Sequence, residues 1–292
     1  MRRGRYYLGR VVKFNLDQNQ LMDVICNAPI IEKGSFEWTI TDVIDNRGSD
    51  MPYVFGKLSK YAKDGHVKVI DEVNRSQIDS EAPNLLEASS PFVYLPEFSG
   101  ISFLHVWNGI QEEIFPRRFK SIIEEGFDNF FVGCDIEPVS DYRAFTTKLA
   151  KLEKLTEISA RVYPPNPLFG RLWGDLNDYI SKRNASEVSI KERTGKEEGL
   201  KSEVIELMNR ILDNSEFEPE LPADISDAAI LMAADGYGRG SVSGVTEGEE
   251  VVIKTSDTQK SFVHSKEPEP EELANITNNK FSEVSDERDM DH

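Results

Sequence analysis

Alternation of apolar and polar residues over short stretches is what most restricts this chain. A period of two puts every second side chain on one face of a strand, a pattern that no helix satisfies. Residues 156–163 show it most plainly, with Ile158, Ala160 and Val162 predicted to face a core. Residues 6–15, 35–44 and 52–61 read as three more strands, the last with Pro52 at its first position, where a missing donor is tolerated. These three are expected to pair as an antiparallel sheet. Residues 92–95 and 101–107 flank Pro96-Glu97-Phe98-Ser99-Gly100, whose early proline and late glycine suit a hairpin. Residues 129–139 give another strand, and 63–90 read as loop with a short strand near 67–73.

Stripes of helical period lie between the strands. Asp17 caps a short helix whose apolar side is Leu21, Met22, Val24 and Ile25. Residues 112–125 bring Phe115, Phe119, Ile122 and Ile123 together, with Pro116 near the first turn, where its lost donor matters least. Ser140 starts a helix with Tyr142, Phe145 and Leu149 on its inner face, and Pro164, Pro165 and Pro167 fix a corner. Residues 168–180 and 200–212 are amphipathic helices separated by a polar surface connection over 184–199. Residues 227–234 and 249–254 read as strands of a second hairpin joined through Gly236-Tyr237-Gly238-Arg239-Gly240. The class that follows is α+β, with mixed, largely antiparallel sheets and packed helices. A β-rich part over residues 1–90 is expected to precede an α/β body over 91–257 and a tail over 258–292.

Charge is distributed unevenly along these parts. Residues 1–200 carry 26 Lys/Arg and 30 Asp/Glu, whereas 201–292 carry 8 and 22, so the acidity that makes the chain −18 overall belongs mostly to the last third. The near-neutral remainder leaves nucleic acid open as a partner. After Asp257 the chain turns to Ser, Asn, Pro and acid, too poor in apolar groups to offset the entropy of ordering, and disorder is expected there. No stretch has the pattern of a signal peptide or approaches the ~20 apolar residues of a membrane span, which predicts a cytoplasmic protein. Cys26 and Cys134 sit in apolar surroundings and read as free thiols.

Most familiar chemistries lack their residues. His66, His105, His264 and His292 are far apart with no cysteine or histidine at ligand spacing, so no metal or other cofactor is expected. Neither a phosphate loop ending in Gly-Lys-Ser/Thr nor a nucleophile-elbow motif occurs. The best carboxylate constellation is Asp135 and Glu137, two apart on a strand and so on one side of it, with Asp141 near the strand end. Such a group could hold Mg²⁺ for phosphodiester cleavage.

Positive charge is more suggestive. Arg2, Arg3, Arg5 and Arg10 accompany Tyr6 and Tyr7, a mixture able to pair phosphates and stack bases. Arg117, Arg118 and Lys120 form a second cluster, and Lys182 and Arg183, with Lys191, Arg193, Lys196 and Lys201, a third. Convergence of these clusters would make one basic face.

The stretch from Phe92-Val93-Tyr94-Leu95, through Val132-Gly133-Cys134-Asp135-Ile136-Glu137-Pro138, to the strand ending in Pro164-Pro165-Asn166-Pro167 resembles proteins of phage-exclusion and phage-defence loci, of the lambda-type RexA and P4-type Gop families. The resemblance spans residues 90–255 and carries no catalytic residue. It implies a host-protective or growth-inhibiting role, with DNA or a phage component as trigger. The expected function is therefore an antiphage sensor or effector component that binds nucleic acid (DNA) through its basic clusters. A phage or host protein partner and a homodimer are further expectations. The alternatives are a metal-dependent nuclease-like toxin using Asp135 and Glu137, and an acidic DNA mimic acting through the tail.

Overall fold

β1 (Arg3–Phe14) is the strand around which the chain is arranged, because three separate strands share its two edges. Along one edge Arg3 to Tyr7 pair with β15 (Ser261–Ser265) and Gly9 to Phe14 with β9 (Gly133–Pro138); along the other, Tyr6 to Arg10 pair with β8 (Gly100–Leu104). All these pairings are antiparallel. The sheet continues through β7 (Leu85–Leu95), β4 (Val54–Ala62), β3 (Phe36–Asp45) and β2 (Ile31–Lys33), making eight strands. It draws strands from each of the three expected parts of the chain, so the divisions at residues 90 and 257 are not boundaries of structure. The computed structural model describes residues 2–127, 131–164, 169–170, 174–214, 223–288 and 290–291.

Alternation along β1 sends its side chains into two cores. Val11 on one face joins Val54, Phe92, Phe103 and Ile136 beneath α1 (Gln18–Cys26) and α2 (Ile114–Phe127). The stripes read from sequence supply the helical side: Leu21, Met22 and Ile25 from α1, and Phe115, Phe119, Ile122 and Ile123 from α2. Tyr6 and Leu8 on the other face pack with Phe55, Val93 and Leu104 under the rest of the chain. There α3 (Tyr142–Leu149), α4 (Gly174–Lys182), α5 (Val204–Asp213) and α6 (Ile225–Met232) adjoin a second sheet of order β12-β10-β13-β14. Its strands are β10 (Lys154–Val162), β12 (Val188–Arg193), β13 (Gly238–Thr246) and β14 (Glu249–Lys254). Ile158, Ala160 and Val162 face the core, as their alternation requires. The α+β class with largely antiparallel sheets is that expected. No helix among the described residues is long and apolar enough to cross a membrane. Cys134 is buried and Cys26 half-buried, both unbridged.

Five segments differ from the sequence reading. Residues 227–234, expected as a strand, lie in α6 and the π-turn Ala233–Tyr237. A continuous apolar run is consistent with either a buried strand or a buried helix, and alanine, leucine and methionine favour the helix. The second hairpin is consequently β13–β14, turned at Glu247 and Gly248, both at positive φ (52° and 81°), as a tight hairpin turn demands. Residues 63–90 hold a separate hairpin of β5 (His66–Asp71) and β6 (Ser76–Glu81) and the start of β7. The polar connection at 184–199 contains β12, an edge strand whose charges suit an exposed edge. Residues 169–170, expected within a helix, form β11 (Phe169–Gly170) paired with β16 (Met290–Asp291). The rest of the corner at 165–167, the helix positions 168 and 171–173, and the strand start at 129–130 lie outside the described residues.

The largest difference is the C-terminal segment. In place of a disordered tail, residues 261–265 are β15, and Pro270–Arg288 form α7, a 19-residue helix that buries Leu273, Ala274, Phe281 and Val284. Averaged composition hid this stripe: a few apolar residues at helical spacing are enough when a preformed sheet receives them. Ser102 Oγ and Thr277 Oγ1 share a hydrogen bond of 2.7 Å inside that contact.

Candidate nucleic-acid interface

β1 changes partner at Leu8, and the sheet edge opens there. The gap is spanned by backbone bonds from Leu8 N to Lys260 O (3.0 Å) and Val139 N to Leu8 O (3.2 Å), and by Gln259 Nε2 donating to Leu8 O (2.8 Å). A pocket of 590 Å³ lies over this discontinuity, entered by Arg5 and Tyr7 from β1, Arg117 from the first turn of α2 and Arg239 from β13. Arg5 Nη1 donates to Ser261 Oγ at 3.0 Å, which fixes it at the rim.

Arg239 links this pocket to two more. Its Nε donates to Glu137 Oε2 at 2.6 Å, yet the Arg239 side chain is 65% exposed and that of Glu137 only 4%. The carboxylate is a buried anchor and the guanidinium reaches solvent. A 270 Å³ pocket at the edge of β9 adds Lys120, Arg161 and Tyr163, and a 540 Å³ pocket on the outer face of the second sheet adds Lys191 and Lys254. The three share Arg239 and together are lined by seven cations and five carboxylates, with Glu187 and Glu157 paired to Arg161 and Lys191 just outside the lining. Hydroxyls of Ser159, Ser189, Ser241, Ser256 and Ser261 lie between the cations and offer further donors to an anion.

The predicted carboxylate pair does share one side of β9, but each member is already neutralised. Asp135 Oδ1 accepts from Lys120 Nζ at 2.8 Å, and Glu137 is held by Arg239. Burial pushes the Glu137 carboxyl up while Arg239 pulls it back. Asp141 is occupied elsewhere, capping α3 by accepting from Ala144 N at 2.9 Å. Among the described residues no group of three or more His, Cys, Asp or Glu is placed to hold a metal ion. The strand face that sequence put toward a metal looks instead onto the arginines of the second sheet.

The three basic clusters converge only in part. Arg5, Tyr7, Arg117 and Lys120 reach the band, and Lys191 joins them. Arg10 does not: it shares the inner face of β1 with Tyr6 and Leu8 and is fully buried. Its Nε and Nη1 donate to the carbonyls of Asp235 (2.8 Å) and Phe98 (2.7 Å), between the rings of Tyr237 and Phe281. No phosphate can reach it. Arg118 lies over the Trp38 ring, with 5.2 Å to its centre. Arg2 and Arg3 are exposed at the far end of β1, beside Ser265 and Lys266. Lys182, the last residue of α4, lies against Asp178, and Arg183 just beyond the helix lies over the Tyr179 ring. Arg161, Arg239 and Lys254 escaped the sequence reading because each stands alone in a strand rather than in a basic run.

Lys13 is a separate half-buried cation on β1. Its Nζ donates to Gln18 Oε1 and Ser99 Oγ, and burial pushes its ammonium down to about 8. The unfolded chain keeps that proton up to about 10.4, so between these values unfolding takes up a proton and rising pH favours the fold. This contribution is complete above the unfolded value and lost as pH falls through 8. Lys13→Met is therefore expected to be stabilised relative to the native protein at pH 7, with the gap closing by pH 10; urea midpoints of both proteins across that range measure it.

A family model described as Domain of unknown function (DUF4747) matches residues 20–282, a span that runs through β15 and most of α7. The chain belongs to that family. No curated protein matches it.

Proposed function

We propose that this member of the DUF4747 family binds nucleic acid, and that the band centred on Arg239 is the surface that meets the sugar-phosphate backbone. The observation that carries the reading is the meeting of Arg5 and Tyr7 with Arg117 and Arg239, drawn from three elements distant in sequence, in one open pocket. Phosphate contacts supply most of the affinity for a nucleic acid, and arginine forks match phosphate geometry. Most of the net negative charge of the chain lies away from this pocket, whose own carboxylates are Glu112, Glu113 and Asp257. At physiological salt the Debye length is about 8 Å, so acids on distant surfaces are screened while the cations of the band act directly. Tyr7 is the half-buried aromatic of the 590 Å³ pocket, which favours backbone contact over base stacking. In the setting implied by the resemblance to phage-exclusion proteins, the role is that of a nucleic-acid-binding sensor or effector component of antiphage defence.

Binding of a 20-bp duplex, followed by fluorescence anisotropy at about 50 mM salt, where phosphate contacts are strongest, tests the reading. The Arg5→Ala/Arg117→Ala double variant is expected to bind about ten-fold more weakly, with the slope of log affinity against log salt shallower by about 2. Failure of the native protein to bind at that salt would end the proposal.

A further inference from the structure

The outer face of the second sheet has a pattern that the shared band does not explain. Register places Lys191, Ser159, Ser241 and Lys254 in one row across β12, β10, β13 and β14. The next row sets Ser189 beside Arg161 and Arg239, which oppose each other directly. Like charges directly opposite on neighbouring strands destabilise a sheet, and here each is offset by its own carboxylate, Arg161 by Glu187 and Arg239 by Glu137. The counter-ions flank these two rows: Glu187 lies 3.1 Å from Arg161, Glu157, on the same face of β10 one row further along, lies 2.8 Å from Lys191, and Glu137 is buried behind Arg239. None of those carboxylates lines the 540 Å³ pocket, which carries four cations and no acid.

Serine in both rows keeps the floor low, while the long cationic side chains rise around it. Neighbouring strands are about 4.8 Å apart, so the two edge lysines stand roughly 14 Å from each other across three such gaps. That is a shallow tray of hydroxyls between cationic walls, and neither row contains an aromatic or apolar side chain that could stack on a base.

We propose that this face is a phosphate clamp that grips the nucleic-acid backbone without reading its sequence. The inference rests on the nucleic-acid reading and extends it from the 590 Å³ pocket to a second set of contacts reached through Arg239. The core of the same sheet lies on its other face, where Ile158, Ala160, Val162 and Val242 are buried, so the outer cations are not needed for packing.

Lys191→Gln/Lys254→Gln changes only the two edge cations and leaves Arg5, Arg117 and Arg239 in place. Its affinity for two 20-bp duplexes of unrelated sequence is expected to fall about ten-fold for each, with the salt slope shallower by about 2. Inorganic tripolyphosphate is expected to compete with duplex on the native protein, and to do so less effectively on the variant. An unchanged melting temperature shows that the variant is folded. Native affinity and slope in this variant, with binding still sensitive to Arg5→Ala/Arg117→Ala, would overturn the clamp and leave the wider reading standing. Loss for one duplex sequence but not the other would overturn it too, because base contacts would then be responsible. A polyglutamate peptide competing as well as tripolyphosphate at equal charge would replace nucleic acid by an acidic protein partner. Absence of duplex binding by the native protein would remove the clamp together with the reading it extends.

Discussion

Truncation after Asp257 is expected to leave a chain without a cooperative unfolding transition. The removed segment is acidic and polar on average, yet it supplies β15, which pairs five residues of β1, and α7, which closes one of the two cores. Phe281 stacks on Phe98 with ring centres 5.6 Å apart, and a side chain at Gly100 would start 2.6 Å from the Phe281 ring. The sheet has therefore been shaped around that helix. Emptying the place of a single buried phenylalanine costs about 3–5 kcal/mol. The truncation would also remove Leu273 and Val284 from the core that holds Tyr6, Val93 and Leu104. Domains of ordinary stability hold only about 5–15 kcal/mol in total, so losing several such contacts together exceeds what the fold can spare. Far-UV circular dichroism and a urea titration of the truncated chain test this. A single transition at the native midpoint would show that residues 258–292 are a dispensable appendage.

Arg288→Ala is expected to cost about 3–5 kcal/mol, because it strands a buried carboxylate. The Arg288 and Asp235 side chains are 2% and 3% exposed and meet at 2.7 Å. Tyr142 donates its hydroxyl to the same Asp235 oxygen at 2.6 Å, and the Arg288 guanidinium lies over the Tyr142 ring, 3.8 Å from its centre. Arg288 also donates to the carbonyl of Ser140, so a single side chain at the end of α7 ties the connection after β9, α3 and the π-turn together. Asp235→Asn in the Arg288→Ala background removes the stranded charge and keeps an acceptor for Tyr142. The double variant is expected to be more stable than Arg288→Ala alone, a non-additivity that denaturant midpoints of the four proteins in the cycle measure. Additive losses would mean that the two side chains are not coupled.

Much of the first sheet was legible because its signals are local. Alternation in residues 6–15, 35–44 and 52–61 found β1, β3 and β4, and the Pro96–Gly100 turn found the β7–β8 hairpin. The helical stripes of α1, α2, α3 and α5 were readable for the same reason, since each needs only residues three and four apart to agree. The segment over 227–234 was misread because an unbroken apolar run has no period to distinguish strand from helix. Composition misjudged residues 258–288 because it counts how many apolar side chains there are, not whether a sheet is waiting to receive them.

The candidate site was legible in its residue types and not in its membership. Arg5, Tyr7, Arg117 and Lys120 could be singled out as a chemistry, but Arg10 looked equivalent to them until alternation along β1 placed it in the core. Arg161 and Arg239 gave no signal, since what makes them a pair is the register of β10 on β13.

By itself the sequence determined the local periods: which stretches are strands, which are amphipathic helices, and which side of each must be buried. Only the tertiary structure decided that β1 divides one edge between β9 and β15, that α7 completes a core, and that cations from five strands and a helix line one band. The physical reason is range. Backbone geometry and side-chain alternation act over a few residues, whereas strand partners and charge neighbours are chosen by packing between segments that can lie more than two hundred positions apart, as Arg5 and Ser261 do.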